Sequence, residues 1–344
     1  MAGWQPGPRN AITDVPGIRV GHFTDRRNAT GCTVILCETS TAAAVDTRGG
    51  APGTRETDVL GLANLVRRCH AVVFTGGSAF GLGAADGVMR WLAEREVGFE
   101  TVHRKVPIVS AAVLYDLGLG NARAFPTAEE GYRAAARARG GAVAEGTVGA
   151  GTGATLAKLL GPEFALKGGV GTASLLGPGG IVVGALVATN AVGSVVDPED
   201  GKLVAGPRAP RGRFQTLPAA LAGRSAAALA MAPGEHTTLI CVATNAALEP
   251  HQLQRLCTHA HDGFARAVVP AHTTADGDIA FAVSMGKVEV APHDVLTAGV
   301  LAARAVEVAV LRSVRLATGL AGTPSASEWR DSRRASGSSQ HVAL

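Results

Sequence analysis

Aromatic residues are scarce in this sequence and make up 4% of its 344 residues. A folded core must therefore be filled with small aliphatic side chains, and the 45 glycines indicate tight turns and backbones that approach each other closely. Hydrophobic residues still account for 47% of the chain, which is ample for a buried core in one large domain or in two smaller ones.

Cysteine is also scarce, and the five that occur are odd in number and include no Cys-x-x-Cys pair. Their mostly apolar surroundings favour reduced core thiols over a disulfide framework. Residues 1–10 contain neither the basic head nor the apolar stretch of a secretory signal, so we expect a cytoplasmic protein. The cysteines are Cys32, Cys37, Cys69, Cys241 and Cys257.

Long apolar runs and clusters of basic residues are missing as well. Apolar stretches such as residues 181–192 are interrupted by Gly, Thr and Asn, and none offers the roughly 20 residues that a membrane span needs. The formal net charge of +4 comes without a Lys/Arg run interleaved with aromatic residues. We therefore expect neither a membrane nor a nucleic acid as a partner.

Short apolar runs rich in β-branched residues alternate along the chain with amphipathic stretches, which predicts a mixed α/β protein. Residues 201–235 predict a surface connection with a short helix, and the Ser/Arg-rich residues 321–344 predict a disordered tail. Strands are predicted at residues 17–22, 32–37, 71–75, 106–115, 181–189, 238–243 and 279–284, and helices at residues 58–68, 79–96, 128–139, 250–266 and 292–317.

Two motifs that suggest a cofactor or a metal fail on spacing. Residues 149–154 (GAGTGA) superficially match a dinucleotide-binding loop, but the helix expected after them, residues 155–160, is very short and no carboxylate lies between residues 163 and 197. Cys257 and His261 share a helix face that His272 could in principle join, yet two ligands do not make a metal site. We expect turn glycines, a core cysteine and surface histidines, with no organic cofactor and no metal.

The chain offers two candidate nucleophiles. Ser78 lacks the Gly-x-Ser-x-Gly spacing of a nucleophile elbow because Phe80 stands where glycine belongs, so a helix cap is the better interpretation. A cut between His236 and Thr237 would instead place a new α-amine, with a pKa of about 7.7 to 8.0, beside the threonine's own hydroxyl as a general base. Local sequence alone favours the alternative that Thr237 and Thr238 simply begin a β-strand.

Five further polar residues have both a catalytic and an ordinary interpretation. Asn190 follows a predicted strand and is either a turn residue or an amide donor to an oxyanion. Asp276 and Asp278 form either an acidic turn or a pair that orients an ammonium or hydroxyl group. Lys158 and Tyr115 are ambiguous when taken singly, since such residues are usually solvated or packed.

Taken together, four ordered motifs resemble the L-aminopeptidase/D-esterase (DmpA-type) family, which includes β-aminopeptidases and nylon-oligomer hydrolases. The motifs are residues 46–58 (DTRGGAPGTRETD), 75–81 (TGGSAFG), 149–154 (GAGTGA) and 276–278 (DGD), and the likeness covers residues 11–316. It implies a self-processing four-layer αββα sandwich, as in ornithine acetyltransferases, in one domain over residues 1–320. It also implies an α chain of residues 1–236 and a β chain of residues 237–344, which stay together and typically form a tetramer.

The resemblance assigns a nucleophile, an oxyanion-hole donor, an active-site tyrosine, a lysine and an acidic pair near the nucleophile. His236 precedes the cut where relatives commonly carry asparagine or glycine, so Thr238 is a neighbouring candidate for the new N-terminus. Thr237 matches the nucleophile, Asn190 the oxyanion-hole donor and Tyr115 the active-site tyrosine. Lys158 matches the lysine, and Asp276 and Asp278 match the acidic pair.

The function implied is hydrolysis of N-terminal residues of short peptides, amino-acid amides or esters by an N-terminal threonine, without a cofactor. One alternative is an endo-type oligoamide hydrolase, and another is an acyltransferase of similar fold in which an amine resolves the acyl-enzyme. A third is an uncut, non-catalytic binding module, if His236 blocks processing. The expected partners are a small peptide or amide substrate and further copies of the chain.

Overall fold

The structure is a computed structural model that describes residues 5–222 and 235–337. Within these ranges the chain forms sixteen β-strands and six α-helices. The strands are β1 Ile18–Asp25, β2 Thr30–Thr47, β3 Thr54–Arg55, β4 Arg68–Thr75, β5 Val109–Val113, β6 Thr155–Leu156, β7 Leu166–Lys167, β8 Gly169–Leu176, β9 Val182–Asn190, β10 Ser194–Val196, β11 Leu203–Ala205, β12 Arg208–Ala209, β13 Arg213–Phe214, β14 Thr237–Ala246, β15 Val268–Val269 and β16 Ile279–Val288. The helices are α1 Ala84–Ala93, α2 Ala128–Ala136, α3 Leu217–Leu221, α4 Pro250–Ala267, α5 Asp294–Arg315 and α6 Ala326–Gly337.

Nine of the described strands form one sheet, in the order β3-β5-β4-β2-β16-β14-β9-β8 with β1 also paired to β2. The long strand β2 joins the two halves of this sheet, because residues 30–37 pair with β1 and β4 while residues 42–47 pair with β16. Its register against β4 shifts between Leu36 and Thr41, where the strand passes from one half to the other. The halves face each other, and the rings of Phe74 and Phe281 have centroids 6.2 Å apart.

Three buried cores separate four layers of secondary structure. Helices α1 and α2 cover the outer face of the half that contains β4 and β5. The inner faces of the two halves pack against each other, and α4 and α5 cover the outer face of the half that contains β9, β14 and β16. This arrangement confirms the expected αββα sandwich.

Glycine makes the close contact between α1 and α2 possible. A Cβ on Gly87 would lie 1.6 Å from the carbonyl oxygen of Ala128, and a Cβ on Gly131 would lie 1.9 Å from that of Ala84. Any side chain at either position would therefore separate the helices. These contacts agree with the closely approaching backbones expected from the glycine content.

The seven predicted strands all occur, and four of the five longer predicted helices have a counterpart within the described residues. The capping box at the start of α2 is present, since Thr127 accepts from the Glu129 N–H and donates its own N–H to Glu130 Oε2 at 2.9 Å. None of the described helices is both long and apolar enough to cross a bilayer.

Two predicted helices are wrong. In residues 58–68 only one 3₁₀ turn forms, Asp58–Leu60, because Gly61 turns the backbone to an extended conformation before β4 begins. In residues 155–160 the chain forms β6, which pairs with β7, and Ala157 has a positive φ of 59° that no helix allows. The predicted Ala-rich helix of the connection is represented by α3, and residues 223–234 lie outside the described ranges.

The expected disordered tail is wrong for its described part, because residues 326–337 form α6. The Trp329 ring nitrogen donates to the Arg213 carbonyl at 2.9 Å, and Trp329 packs on the core beneath α4 and α5. The guanidinium of Arg330 lies 5.0 Å from the ring of Phe214. Aromatic burial and a cation–π contact thus anchor a segment whose polar composition predicted disorder.

The sheet brings four strand ends together near Thr237. This residue begins β14 and lies opposite Asn190, the last residue of the antiparallel strand β9. On its other side β14 runs parallel to β16, whose first residue Ile279 also pairs with Thr47 at the end of β2. Polar residues at these ends are therefore neighbours in space.

Candidate active site

Thr237 is buried and its side chain faces the space between the two halves of the sheet. Side chains alternate along a strand, and Leu239 and Cys241, on the same side of β14, belong to the core between the halves. Thr238 faces the opposite way, with Ile240, toward the helix layer. The hydroxyl of Thr238 is buried and has no hydrogen-bond partner among the described residues.

The peptide bond before Thr237 is held by two donors. The chain is continuous here, and the Thr237 hydroxyl donates to the His236 carbonyl oxygen at 2.5 Å. The same oxygen accepts the Gly277 N–H at 2.7 Å, because His236 extends the parallel pairing as far as Asp276. The His236 carbonyl oxygen therefore accepts from the threonine hydroxyl and from a backbone N–H, and both donors polarise this carbonyl group.

Asn190 and Lys158 form a buried pair beside this bond. Lys158 Nζ donates to the backbone oxygen and to Oδ1 of Asn190, both at 3.1 Å, and to the Glu235 carbonyl at 3.3 Å. The Asn190 Nδ2 amide donates to the carbonyl oxygens of Tyr115 at 3.3 Å and Glu235 at 3.4 Å. Its Oδ1 also accepts the Thr155 N–H at 2.9 Å. The orientation of the Asn190 amide is thus fixed from both ends.

Burial controls the charge of this region. It lowers the pKa of Lys158 to about 7, although Asp276 and Glu235 act in the opposite direction. Burial and the neighbouring Lys158 lower the pKa of His236 to about 3, so this imidazole is neutral at pH 7. The site therefore holds an amine that can exchange its proton near neutral pH.

Two carboxylates flank the start of β14. Asp276 accepts the Val192 N–H at 3.2 Å and the hydroxyl and N–H of Thr273, while burial and the neighbouring Asp278 raise its pKa. Asp278 Oδ1 accepts the Thr238 N–H at 2.8 Å. Asp278 therefore holds the backbone that follows Thr237, whereas the Asp276 carboxylate holds two neighbouring segments, at Val192 and at Thr273.

The loop between β2 and β3 supports the acidic pair through backbone bonds. The N–H groups of Arg48 and Gly49 donate to the Asp278 carbonyl at 3.0 and 3.1 Å, and the Ala51 N–H donates to the Asp276 carbonyl at 2.8 Å. Gly277 fits only without a side chain, because a Cβ would lie 2.7 Å from the Thr237 hydroxyl and 2.6 Å from the Ala51 carbonyl oxygen. Motifs far apart in sequence thus meet at the start of β14.

Comparison with known proteins now decides the family. The family model described as peptidase family S58 matches residues 10–327. The chain belongs to peptidase family S58. A protein of Mycobacterium tuberculosis named an uncharacterized aminopeptidase is 46% identical to it over 317 residues, or 89% of each chain. The family and these relatives make it a hydrolase of peptide or amide bonds.

Other similar proteins carry names that describe further activities. A 6-aminohexanoate-oligomer endohydrolase of Kocuria sp. is 30% identical over 279 residues, or 80% of this chain and 75% of that protein. The L-aminopeptidase D-Ala-esterase/amidase of Ochrobactrum anthropi, described as a variant of the Ntn hydrolase fold, superposes with a TM-score of 0.74 at 25% identity and covers 98% of this chain and 97% of that one. A Burkholderia sp. β-aminopeptidase shares the fold, with a TM-score of 0.68 at 24% identity over 97% and 96% of the two chains.

In this S58 chain, five of the six catalytic candidates lie in one cluster, namely Thr237, Asn190, Lys158, Asp276 and Asp278. Tyr115 reaches the cluster through its backbone carbonyl. Its ring lies beside Gly118, and its hydroxyl makes no hydrogen bond within the described residues.

The remaining predictions concern Cys257 with its neighbouring histidines, a metal site and Ser78. Cys257 is buried as expected, but His261 is fully buried and was wrongly assigned to the surface, since it lies between Asp46 and His272. Residues 5–222 and 235–337 contain no cluster of three or more His, Cys, Asp or Glu that would hold a metal. Ser78 does not cap a helix as predicted, because it is the first residue of the 3₁₀ helix Ser78–Gly83.

Sequence reasoning missed three contributors to the site. Gly277 acts through its backbone N–H, which no pattern of side chains reveals. Thr155 likewise acts through its N–H, on Asn190. His272 donates to Asp278 and was considered only as a metal ligand, because the positive φ that brings its ring to this carboxylate leaves no signal in the sequence.

Proposed function

We propose that this S58 hydrolase cuts itself between His236 and Thr237 and then works as an aminopeptidase with Thr237 as its N-terminal nucleophile. The observation that carries the proposal is the 2.5 Å contact between the Thr237 hydroxyl and the His236 carbonyl oxygen, which also accepts the Gly277 N–H. A β-branched residue that merely begins a strand does not require this arrangement.

The cut proceeds as an acyl shift. The Thr237 Oγ forms a bond to the His236 carbonyl carbon, the carbon–nitrogen bond breaks, and the hydroxyl proton passes to the leaving nitrogen. Gly277 N–H stabilises the negative charge that develops on the carbonyl oxygen. Water then hydrolyses the ester, which yields chains of residues 1–236 and 237–344. The reaction needs no metal and no cofactor.

In the cut enzyme, the Thr237 amine takes the hydroxyl proton while Oγ attacks the substrate carbonyl. Asn190 supplies the oxyanion donor by a specific route. One N–H of its amide remains on the Tyr115 carbonyl, and the other, which donates to Glu235 in the uncut chain, becomes free when residues 235–236 withdraw. Lys158 holds Oδ1 and so keeps this donor aimed at the substrate.

Lys158 and the acidic pair act on the charge and on the orientation of the new N-terminus. Below its pKa of about 7, Lys158 is cationic and lowers the pKa of a neighbouring amine by repulsion, which favours the neutral, basic form of the Thr237 amine. Asp278 holds the Thr238 N–H and so orients the new N-terminus. The Asp276 carboxylate holds Val192 and Thr273 beside the nucleophile, and burial together with the neighbouring Asp278 raises its pKa.

The substrates we propose are short peptides, amino-acid amides and esters that lose their N-terminal residue. The names of the mycobacterial and Ochrobactrum relatives support this choice. We also propose a homotetramer of cut protomers, which sedimentation would test, and a cytoplasmic location. The five cysteines are buried and unpaired, as suits a reducing compartment.

An endo-acting oligoamide hydrolase is the second candidate, because relatives named 6-aminohexanoate-oligomer endohydrolase are 30% identical. Oligoamides with an acetylated N-terminus separate the two activities. An aminopeptidase leaves these capped substrates intact, whereas an endohydrolase cleaves them internally.

The proposed cut predicts two fragments. Intact mass spectrometry of the purified protein should find chains of 236 and 108 residues, the second being 344 minus 236. N-terminal sequencing of the smaller chain should begin Thr-Thr-Leu-Ile, and a start at Thr238 would move the nucleophile by one residue. A single uncut chain that hydrolyses amides would refute the proposal.

The lowered pKa of Lys158 predicts a stability that rises with pH. Between pH 7 and 10.5 the unfolded chain keeps a proton on Lys158 that the folded chain has lost, so the free energy of unfolding increases with pH. In an uncut Thr237→Ala background, Lys158→Met should remove on the order of 1 to 2 kcal/mol of the gain between pH 7 and 8.5. Urea melts at both pH values measure this difference.

The exposed Lys287 provides the control, since Lys287→Met should leave the pH dependence unchanged. An identical pH slope with and without Lys158 would show that this amine is charged in the folded chain up to its ordinary pKa.

A further inference from the structure

Asp278 connects the nucleophile strand to a histidine outside the set of catalytic candidates. Its Oδ1 accepts the Thr238 N–H at 2.8 Å, and its Oδ2 accepts both the main-chain N–H and the ring Nδ1–H of His272, each at 3.0 Å. A carboxylate in this position only accepts, so the hydrogen of the neutral imidazole lies on Nδ1. The two oxygens of one carboxylate thus join His272 to the residue that follows the nucleophile.

The His272 ring is held in place by aromatic packing. It contacts His261 edge-on with ring centroids 4.7 Å apart, and it lies 5.4 Å from the ring of Phe264. His261 is anchored in turn, with Nε2 at 3.0 Å from the Asp46 carbonyl oxygen. The backbone of His272 has a φ of 55°, the left-handed conformation that lets its N–H and its ring reach the same oxygen.

Cutting the chain changes what holds Thr237. Before the cut, the ladder with Asn190 and the bond from Gly277 to the His236 carbonyl hold both sides of the residue. After the cut, His236 no longer anchors Thr237. The only covalent main-chain link of Thr237 is then its peptide bond to Thr238. The N–H of that peptide is the one that Asp278 accepts.

We propose that His272 is a positioning residue for the N-terminal threonine, which acts by fixing the Asp278 carboxylate. This rests on the proposed function. Because the uncut chain has the second anchor, His272 matters more for substrate turnover than for the cut. A displacement of the Thr237 amine or hydroxyl by a fraction of an ångström lowers kcat and leaves the binding of substrate largely unchanged.

The test compares two replacements of His272 in the full-length protein. His272→Ala removes the ring donor, whereas His272→Asn keeps an N–H near the position of Nδ1 and tolerates a positive φ. With an amino-acid p-nitroanilide, we expect the alanine variant to lose kcat by about 10-fold or more at a KM within about 3-fold, and the asparagine variant to recover most of the loss. Both should be cut as completely as the wild type.

Three controls make the test decisive. His251→Ala, at an exposed position of α4, should behave as wild type. If the alanine variant does not fold, His272→Gly replaces it, since glycine accepts the same φ. Equal losses in the asparagine and alanine variants would overturn the proposal in favour of simple packing.

The failure of this proposal and that of the proposed function give different results. Wild-type protein cut at Thr237 together with an alanine variant of normal kcat overturns only the role of His272. Active wild-type protein that remains one chain overturns both.

Discussion

Thr237→Val is expected to produce a single chain of 344 residues with no measurable hydrolysis. Valine has the shape of threonine and suits a buried strand, but it replaces the hydroxyl that contacts the His236 carbonyl oxygen at 2.5 Å. Without the cut there is also no α-amine to serve as base. Loss of both groups should lower kcat/KM by at least about 10³-fold, measured with amino-acid p-nitroanilides and by intact mass.

Thr238→Val is the matched control on the same strand. Its hydroxyl is buried and has no partner among the described residues, so a methyl group in its place removes an unpaired polar group. This variant should be cut normally, keep its activity and be at least as stable as the wild type. If it remains uncut while Thr237→Val is processed, the nucleophile is Thr238.

Thr237→Ser refines the same result, because it retains the hydroxyl and loses only the methyl group. Cutting and turnover should both persist at reduced rates, since the serine rotates more freely about χ1. An inactive but fully cut serine variant would contradict this role.

Asn190→Asp is expected to give an enzyme that still cuts itself but turns over substrate poorly. Aspartate keeps the oxygen that accepts from Thr155 and Lys158 and loses the Nδ2 donor proposed for the oxyanion. Removal of one such donor typically lowers kcat by about 10²- to 10³-fold. A carboxylate in its place also repels the oxyanion, so the loss of kcat should be at least as large. The cut is affected less because the scissile carbonyl accepts from Gly277.

Asn245→Asp provides the control near the other end of β14, about 26 Å along the strand. Asn245 also accepts a backbone N–H through Oδ1, from Val182 at 2.8 Å, and donates through Nδ2, to Gly180 at 2.9 Å. Its replacement should lower the melting temperature and leave kcat unchanged. Unequal loss of cutting and turnover in Asn190→Asp, measured by gel densitometry and by initial rates, is the distinguishing result. Equal loss would mean that Asn190 serves both steps.

The sequence predicted the helices and strands of each layer more fully than it predicted the contacts between layers. A continuous apolar run located β14, which is buried on both faces, and the helical period of the apolar residues located α4, which buries one face. Residues 58–68 have an apolar pattern as well, but the extended conformation of Gly61 ends the first turn. A pattern of side chains does not reveal such a choice of backbone conformation.

The candidate site was likewise predicted only in part from the sequence. Resemblance to a family placed Thr237, Asn190 and Lys158 together, although Lys158 and Asn190 are distant in sequence. No pattern in the residues predicted that Gly277 would donate to the His236 carbonyl, since every residue but proline has an N–H. The pairing of His272 with Asp278 depends on one positive φ that the sequence does not specify.

By itself, the sequence determined the family, the mixed α/β layers and a threonine at the head of a buried strand, because periodicity, turn residues and local chemistry are properties of short segments. Tertiary structure alone decided which groups surround the peptide bond between His236 and Thr237. The neighbours of β14 are β9 and β16, which come from separate parts of the chain, and their register sets Asn190 and Gly277 against Thr237 and His236. Strand register depends on the packing of whole layers, so the hydrogen bonds of the site exist only once the sheet has formed.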